Sequence, residues 1–342
     1  MPRCLVLFDG LAREGPYGVD KLQSFGWELV EVEPAADTFH VKVRDVIEHR
    51  SGRPVDKAAR SWRHVPGSAV VLAFLERQAL TPAWLRSHSV WPYSRVPLAM
   101  LACWLGEDLR TMPRDERRAV ARLYRGVDLT MVWSSNQVDI LRDSGFPAET
   151  VESIPFGFAP ELYPLADPEG RTGPLAAIGS DRGRDYPTLL NAMRGADFEL
   201  ALYCREANLE GAEVPRTVHF QGTVPYDSYR QLLQEVTAVA IPTKVMAYPT
   251  GQTVALEAAA TGAPVVLTDT APMREYFPEH TAVFVPPGDS DAWHAALQQL
   301  VTDETHRRQM GARAAEHVRS RFTYRQMWEH VDRLFRNRGW AT

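Results

Sequence analysis

Short apolar segments that alternate with longer amphipathic segments constrain the fold of this chain most. Leu129–Trp133 and Leu175–Ile178 are strand-like, and the second precedes a segment with helical periodicity at Tyr186–Met193. Strands separated by helix-length crossovers are typical of parallel sheets, because a parallel partner cannot be reached through a short turn. No repeat of roughly 20–50 residues is present, which excludes a solenoid. The sequence therefore predicts an α/β protein with doubly wound parallel sheets.

A change in composition divides the 342 residues into two halves. The segment between them is rich in residues that break helices and strands, namely Pro160, Pro164, Pro168, Gly170, Gly173 and Pro174. We expect a first domain at 1–160, a linker at 161–174 and a second domain at 175–321, with a helix at 322–342 packing back on the first domain. Both domains are predicted to be Rossmann-like. Because ligands bind at the carboxyl ends of parallel strands, the two sheets would face a central cleft.

The overall composition excludes several classes of protein. A net charge of −5 gives no general attraction to nucleic acid. No apolar run is long enough for a transmembrane helix. The N-terminus enters a strand at Arg3–Phe8 without the apolar core of a signal peptide, which predicts a cytoplasmic protein. Cys4, Cys103 and Cys204 lie singly in apolar runs, so buried free thiols are expected rather than a metal or redox site.

One local charge pattern departs from this acidic average. The arginines of this pattern recur at helical spacing or lie close by, at Arg110, Arg114, Arg117, Arg118, Arg122 and Arg125. A solvated helix face is the favoured interpretation. The alternative is that these side chains meet a phosphate-bearing acceptor or an anionic membrane surface, and membrane association is not favoured.

Two strand-to-helix loops in the second half have the features of phosphate sites. The first loop follows a strand that ends at Gly179 and carries Arg182 and Arg184 before a helix. The second places Gly251 at the start of a helix that contains Glu257. Backbone N–H groups at a helix N-terminus would take a diphosphate, and Glu257 would accept both ribose hydroxyls. The alternatives are a plain surface loop and an exposed glutamate in an alanine-rich helix.

Two further loops are less specific. A strand ends at Gly222 before a loop with Pro225, which either presents backbone groups to a base edge or is a plain connection. The loop at Phe8–Gly18 holds three glycines but no G-x-G-x-x-G pattern, so a dinucleotide fingerprint is not supported. P-loop, metalloprotease, serine-hydrolase and zinc-site motifs are also absent from the sequence.

Longer stretches of the second half resemble a known family. TVALEAAATGAPVVLTDTAPMREYF at 253–277 and VFVPPGDSDAWHAAL at 283–297 are similar to the C-terminal domain of retaining family-4 glycosyltransferases, the glycosyl transferases group 1, which have the GT-B fold. Residues 127–158 resemble the last strands of that family's N-terminal domain, and the tail at 307–330 resembles its closing helices. Residues 1–126 match only in strand order.

The resemblance implies a glycosyltransferase of the EC 2.4 class that uses a UDP-, GDP- or dTDP-sugar, without metal or cofactor. The donor would be held by the second domain and the acceptor by the first. The predicted donor-binding residues are Gly179, Ser180, Arg182, Arg184, Gly222, Val224, Tyr248, Thr250, Gly251, Gln252, Thr253 and Glu257. Among these, Arg182, Arg184 and Glu257 are the predicted catalytic residues. The acceptor-side candidates are Gly10, Gly15, Gly18, Trp104, Glu107 and Asp108.

This chain departs from the family pattern at two points. The first glutamate of the family's paired-glutamate motif, which contacts the donor sugar, falls at Pro249. The family's N-terminal histidine has no match, and Cys103–Trp104 stands near its expected place. Without that carboxylate we expect a less demanding pocket, in which Tyr248, Thr250, Gln252 or backbone groups read the far side of a deoxy- or amino-sugar. An ordinary hexose or pentose held by backbone contacts is the alternative.

The predicted function is retaining transfer of a sugar to a hydroxyl or amine of a small molecule or soluble glycan, in bacterial natural-product or glycan biosynthesis. A lipid-linked acceptor is the alternative for the acceptor. A nucleotide-sugar epimerase of the same fold is a second reading, with His88, Glu107 and Asp108 as proton carriers. A non-catalytic nucleotide-sugar-binding protein is the third.

Overall fold

The computed structural model describes residues 1–8, 17–33 and 37–341. The chain forms two compact units. The first unit consists of Met1–Pro155 together with Tyr324–Thr342, and the second unit consists of Phe156–Thr323.

The described part of the first unit contains one parallel sheet with helices between its strands. The strands are β1 (Arg3–Leu7), β2 (Glu28–Glu31), β3 (Val70–Phe74), β4 (Leu98–Leu101), β5 (Leu129–Val132) and β6 (Val151–Ser153). The α-helices are α1 (Thr38–Ser51), α2 (Asp56–Arg60), α3 (Glu76–Ser87), α4 (Leu105–Thr111), α5 (Arg114–Leu123), α6 (Ser135–Asp143) and the C-terminal helix (Tyr324–Asn337). Short 3-10 helices lie at Val19–Phe25, Trp62–Gly67, Tyr93–Arg95 and Ala148–Thr150.

The second unit repeats this plan. Its strands are β7 (Leu175–Ile178), β8 (Leu200–Tyr203), β9 (Val218–Phe220), β10 (Ala238–Ile241), β11 (Val265–Thr268) and β12 (Val283–Val285). Its α-helices are α7 (Tyr186–Ala192), α8 (Tyr226–Glu235), α9 (Gln252–Ala260), α10 (Ala271–Arg274), α11 (Ser290–Thr302) and α12 (Glu304–Arg321). Short 3-10 helices lie at Pro168–Gly170 and Glu206–Leu209.

The order of the strands fixes where each sheet opens. The first sheet runs β2-β1-β3-β4-β5-β6 and the second runs β12-β11-β10-β7-β8-β9, with parallel pairing throughout. The chain reverses direction across the sheet between β1 and β3 in the first unit, and between β7 and β10 in the second. Connections leave these neighbouring strands toward opposite sides, which opens a crevice at their carboxyl ends. The predicted α/β class with doubly wound parallel sheets is confirmed.

The central strands are buried on both faces, as parallel sheets covered by helices require. β3, β7 and β10 consist entirely of buried residues. Their sequences, VVLAF, LAAI and AVAI, are continuous apolar runs rather than alternating ones. Such runs are what made the strands recognisable in the sequence.

The segment expected to be a linker, 161–174, belongs to the second unit. Arg171 holds it there, because its buried guanidinium donates to the carbonyl oxygens of Leu233 and Val236 at 3.1 Å and to the side chain and carbonyl of Thr261. Burial lowers the pKa of Arg171 to about 10, which leaves the side chain charged at neutral pH. Tyr163 is also buried. The first unit ends at Pro155 rather than at residue 160.

The C-terminal helix packs within the first unit. Trp328 donates from Nε1 to the carbonyl of Tyr17 at 2.7 Å, and buried Trp27 donates from Nε1 to Oδ1 of Asp332 at 2.7 Å. Asp332 also accepts from Nε of Arg336 at 2.8 Å. One carboxylate therefore connects the start of β2 to the end of the chain.

Asp332→Ala should lower the free energy of unfolding by about 1–3 kcal/mol, because the buried indole N–H of Trp27 loses its acceptor. Urea denaturation of the full chain measures this change, and Asp115→Ala on the exposed face of α5 is the matched control. An Asp332→Ala protein as stable as the control would contradict the assignment.

Candidate functional site

The loop after β7 lies where the second sheet opens. The backbone of Arg184 forms an isolated bridge with Thr243, which follows β10. The next residue, Asp185, donates from its N–H to the carbonyl of Pro242 at 3.1 Å. The carboxylate of Asp185 then caps α7 by accepting from the N–H of Thr188 at 3.3 Å. These bonds fix the loop between the carboxyl ends of β7 and β10.

The guanidinium of Arg184 is buried between two glycines and is only 3% exposed. A Cβ on Gly179 would lie 2.8 Å from Cζ of Arg184, and a Cβ on Gly251 would lie 2.7 Å from Nη1. Both glycines also have positive φ, at 134° and 86°, which disfavours other residues. The Nε and Nη1 atoms of Arg184 are buried and have no hydrogen-bond partner in the structure. A buried cation without a partner is costly, so this arrangement favours an anionic occupant.

The start of α9 adds a second anion-binding feature beside this cation. Gly251 is the N-cap residue. Because glycine has no side chain, no capping side chain at this position satisfies the helix's first N–H groups. The positive end of the helix dipole therefore points toward the same place as Nη1 of Arg184. A fixed positive charge next to an open helix N-terminus suits a phosphate or diphosphate.

Three buried side-chain oxygen atoms lie on segments that contact the loop of Arg184 or the start of α9. Oγ1 of Thr243, Oε1 of Gln252 and Oδ1 of Asn208 are buried and lack partners in the structure. The backbone of Thr243 pairs with the backbone of Arg184, and Gln252 is the first residue of α9. The side-chain amide of Asn208 donates to the carbonyl of Asp181 at 3.3 Å. Buried acceptors of this kind are normally satisfied, so the occupant that suits them carries hydroxyl or amide donors as well as negative charge.

Asp181 is a site residue that the sequence did not reveal. Its Oδ1 accepts from the hydroxyl of Tyr248 at 2.7 Å, from Oγ1 of Thr250 at 2.6 Å and from the N–H of Gly183 at 2.8 Å. Tyr248 and Thr250 flank Pro249, so Oδ1 of Asp181 is hydrogen-bonded to both neighbours of the residue at which the family pattern has its first glutamate. The only signal in the sequence was an acidic residue in the loop after a buried strand.

Arg182 differs from Arg184 in its surroundings. Its side chain is exposed, whereas that of Arg184 is buried. A hydrogen bond joins Arg182 to Tyr248, and this bond lowers the pKa of the Tyr248 hydroxyl against the larger rise caused by burial. The two predicted diphosphate-binding arginines therefore lie on the same loop, but only Arg184 is enclosed by the second loop.

Glu257 is buried inside the second unit and is 6% exposed, so the exposed-glutamate alternative is wrong. Its Oε2 accepts from the hydroxyl of Tyr229 at 2.5 Å, and Tyr163 also bonds to the carboxylate. Burial raises the pKa of Glu257 to about 7, against the lowering effect of these two hydroxyls. The surrounding alanines at 258–260 pack into the core instead of facing solvent.

The remaining predicted donor residues lie at the same edge of the sheet. Ser180 follows Gly179 in the loop after β7, and Thr253 is the second residue of α9. Gly222 and Val224 lie in the connection from β9 to α8, with φ of 71° at Gly222. In the sheet, β8 lies between β7 and β9, the strand that precedes these two residues.

The structure describes only some of the predicted acceptor-side residues and places those in different surroundings. Gly10 and Gly15 lie outside the described residues. Gly18 packs beneath the ring of Tyr324, where a Cβ would come within 2.6 Å of Cδ2, so packing explains the glycine. Glu107 is buried and forms a two-point pair with Arg110 at 2.9 and 2.6 Å.

A carboxylate that the sequence analysis missed lies next to Trp104. Glu76 accepts from the N–H groups of Cys103 and Trp104 at 3.1 and 3.0 Å, and burial raises its pKa. The preceding residue, Leu75, has φ of 65°, which is unusual for a residue other than glycine. Asp108 adds a second negative charge near Glu76. These residues follow β3 and β4, close to the place where the first sheet opens.

His88 does not join Glu107 and Asp108. It follows the end of α3, where its ring lies 4.6 Å from the ring of Trp84. Because α3 runs back from the carboxyl end of β3, its last turn lies at the opposite edge of the sheet from α4. The proton-transfer group expected for an epimerase is therefore not assembled.

The predicted arginine face is exposed on α5. Arg114, Arg118 and Arg122 are exposed on this helix, and Arg125 is exposed just beyond it. Arg110 is paired with Glu107, and Arg117 donates to the carbonyls of Met112 and Arg110.

The described residues contain neither a cluster of metal-ligating side chains nor a membrane-spanning helix. No group of three or more histidine, cysteine, aspartate or glutamate side chains is arranged to hold a metal ion there. Among the same residues, no helix has both the length and the apolar character needed to cross a bilayer.

Comparison with known proteins assigns a family to part of the chain. Residues 201–317 match the family described as Glycosyl transferases group 1. A D-inositol 3-phosphate glycosyltransferase of Corynebacterium urealyticum is 30% identical over 135 residues, which cover 39% of this chain and 31% of that relative. The chain thus matches about a third of the length of this curated relative.

Solved structures share the fold over almost the whole chain. A sucrose-phosphate synthase from Thermosynechococcus elongatus superposes with a TM-score of 0.75 at 16% identity and covers all of both chains. Anabaena HepE in complex with UDP and glucose gives a TM-score of 0.71 at 14% identity, over 98% of this chain and all of that one. At this identity the likeness shows the fold, and the expected GT-B fold is confirmed. Residues 201–317 therefore form a glycosyl transferases group 1 domain within a chain of GT-B fold.

Proposed function

We propose that this protein is a glycosyltransferase that moves a sugar from a nucleoside diphosphate donor to a hydroxyl or amine of an acceptor. The observation that carries the proposal is the buried, unpartnered guanidinium of Arg184 beside the N-terminus of α9. This pair of features fits the diphosphate of the donor, and the unpartnered acceptors around it fit hydroxyl groups. The UDP and UDP-glucose bound by Anabaena HepE support the same class of donor.

The proposed chemistry needs stabilisation of a leaving diphosphate more than it needs an acid or a base. Arg184 and the N–H groups of α9 would neutralise negative charge as the bond to the anomeric carbon breaks. Exposed Arg182 would add charge from the outer side of the loop. With same-face attack, the leaving phosphate takes the proton of the acceptor hydroxyl, and the configuration of the sugar is retained. No metal ion is required, since the arginines supply the positive charge.

The donor sugar would be read near Pro249. Sequence reasoning predicted a relaxed pocket there, because proline offers neither donor nor charge. We propose that Asp181 supplies a carboxylate near this place, because its Oδ1 accepts from the hydroxyls of Tyr248 and Thr250. We therefore expect donor hydroxyls to be recognised by Asp181.

The nucleoside would lie toward the connection from β9 to α8. Backbone groups at Gly222 and Val224 would meet the base edge, and Glu257 would accept the ribose hydroxyls. The carboxylate of Glu257 is already held by Tyr229, so a bound ribose would join or replace that hydroxyl. The acceptor would use the first unit, where Glu76, Trp104 and Asp108 lie near the opening of the sheet. A small molecule or soluble glycan fits this proposal, in a bacterial cytoplasmic pathway.

A panel assay tests the proposed function. The full chain is incubated with UDP-, GDP- and dTDP-sugars and candidate acceptors, with and without a chelator, and both nucleotide release and sugar transfer are followed. Retaining transfer that survives the chelator is expected. Binding of a nucleotide sugar without transfer would indicate a non-catalytic binding protein, and inversion of a ring carbon without transfer would indicate an epimerase. Loss of activity with the chelator, restored by Mg²⁺, would contradict metal independence.

Arg184→Ala should lower kcat/KM by roughly 10- to 150-fold, the loss of a charge-assisted contact worth about 1.5–3 kcal/mol. The melting temperature should not fall, because the guanidinium has no partner in the absence of donor. Arg184→Lys should retain part of the activity, and Arg216→Ala, on an exposed position before β9, is the matched control. Control-like turnover in Arg184→Ala would refute the role of this arginine.

The raised pKa of Glu257 predicts two effects of pH. The folded-state pKa of about 7 exceeds the ordinary value of 4.5. The contribution of this carboxyl group to the free energy of unfolding is therefore fully present below pH 4.5 and is lost as the pH rises through 7. Glu257→Gln should flatten this decline in denaturation experiments.

Nucleotide affinity should change in the opposite sense. If the carboxylate accepts ribose hydroxyls, UDP should bind more tightly above pH 7 than below it, and Glu257→Ala should remove most of that dependence. Calorimetry with UDP, GDP and dTDP measures this. Equal affinities for the variant and the wild type, with all three nucleotides, would show that Glu257 is structural.

If Asp181 accepts from donor hydroxyls, the enzyme should prefer a donor sugar that has its 3- and 4-hydroxyls over a matched donor that lacks them. A wild-type preference of roughly 10- to 100-fold for the hydroxylated sugar is expected, because a hydroxyl that donates to a carboxylate adds about 1.5–3 kcal/mol that a deoxy donor lacks. Asp181→Ala should erase this ratio, whereas Tyr248→Phe, which keeps the carboxylate, should preserve most of it. A merely structural defect would slow both donors equally and leave the ratio unchanged, which would count against Asp181.

A further inference from the structure

Helix α1 has its apolar side chains turned away from the protein. Surface helices normally bury their apolar face and expose their polar face. In α1 no residue is buried. Phe39 is 75% exposed, Val46 52%, Ile47 47% and Val43 41%. Their spacing of i, i+4, i+7 and i+8 places them on one face, which we call the α1 stripe.

The polar face of α1 provides its attachment to the first unit. Nε2 of His40 lies 2.5 Å from Oδ1 of Asp56, at the start of α2. Glu48 accepts from the N–H of Asp56 at 3.2 Å and pairs with Arg77 at 3.4 Å. The helix is therefore held by polar contacts of His40 and Glu48, which lie outside the α1 stripe.

The ends of α1 are well specified, so the exposed stripe belongs to a defined helix. Asp37 caps the N-terminus by accepting from the N–H of Phe39 at 2.6 Å and of His40 at 3.2 Å. Gly52 ends the helix with φ of 67°, and its N–H donates to the carbonyl of Glu48 at 2.9 Å. Four large apolar side chains on such a helix form the kind of patch that marks an interaction surface.

The charges around the stripe are positive. Lys42 and Arg50 are exposed and flank or continue the stripe. The carboxylates of α1 are neutralised elsewhere, because Glu48 faces Arg77 and Asp45 is bound by Arg44 at 2.7 Å. An apolar stripe bordered by cations matches the boundary between the acyl chains and the phosphate headgroups of an anionic bilayer.

We propose that α1 docks this protein on an anionic lipid surface, with the α1 stripe in the bilayer interface and Lys42 and Arg50 at the lipid phosphates. The helix has 14 residues and lies on the surface rather than across it. A second copy of the chain fits less well, because two α1 stripes placed face to face would bring their lysines and arginines together. The docking is independent of the proposed transfer reaction.

Vesicle sedimentation tests the proposal with the full chain. The probes are phosphatidylcholine vesicles with and without phosphatidylglycerol. Wild type should bind the anionic vesicles at least roughly tenfold more tightly than the neutral ones. The double variant Phe39→Ser/Ile47→Ser should lose roughly tenfold or more of this affinity, and Lys42→Glu/Arg50→Glu should lose the preference for phosphatidylglycerol.

Val301→Ser, at an apolar position in the second unit that is 38% exposed, is the control and should bind as wild type does. All variants should keep the wild-type circular dichroism and melting temperature, since the changed side chains are exposed. Wild type that ignores anionic vesicles, or a double variant that binds them equally well, would overturn the proposal. A wild-type dimer that dissociates in the double variant would identify a second copy as the occupant and would also overturn it. The assay involves no sugar transfer, so its failure is distinct from failure of the proposed function.

Discussion

The buried guanidinium of Arg184 is the constraint on which the candidate site depends. Two of its nitrogen atoms lack partners in a place closed by Gly179 and Gly251. A buried cation in that position costs free energy unless an anion binds beside it. The arrangement therefore favours the binding of an anion over the stability of the unliganded protein. The two glycines follow from this arrangement, since a side chain at either position would occupy the space of the guanidinium. The N-terminus of α9 and the carboxylate of Asp181 are placed around the same group.

The order of the strands explains why these groups meet. β7 and β10 are neighbours in the sheet although more than fifty residues separate them in the chain. The loops after them therefore share one crevice, and each contributes what the other lacks. The β7 loop brings the arginine and the aspartate, and the β10 connection brings the helix terminus with Tyr248 and Thr250. The same principle places Glu76 and Trp104 at the opening of the first sheet, after β3 and β4.

Much of this could be read from the sequence, because it depends on local pattern. The runs at 175–178, 238–241 and 283–285 were recognisable as strands since each is continuously apolar and bounded by loop residues. Arg184 and Gly251 were recognisable since they follow strands and precede helices. Asp181 was not, because its partners Tyr248 and Thr250 are 67 and 69 residues away. The burial of Glu257 under Tyr229 was hidden for the same reason, and α1 was missed because its apolar residues do not face the core.

A structure of the full chain with a bound nucleoside diphosphate tests the central claim most directly. We expect the terminal phosphate of the bound nucleoside diphosphate to contact Nε or Nη1 of Arg184 and the first N–H groups of α9, with Gly179 and Gly251 on either side. The hydroxyls of the nucleotide or of a donor sugar should then meet the acceptors of Gln252, Thr243 or Asp181. A diphosphate bound away from β7 and β10, with Arg184 still lacking an anionic partner, would contradict the account.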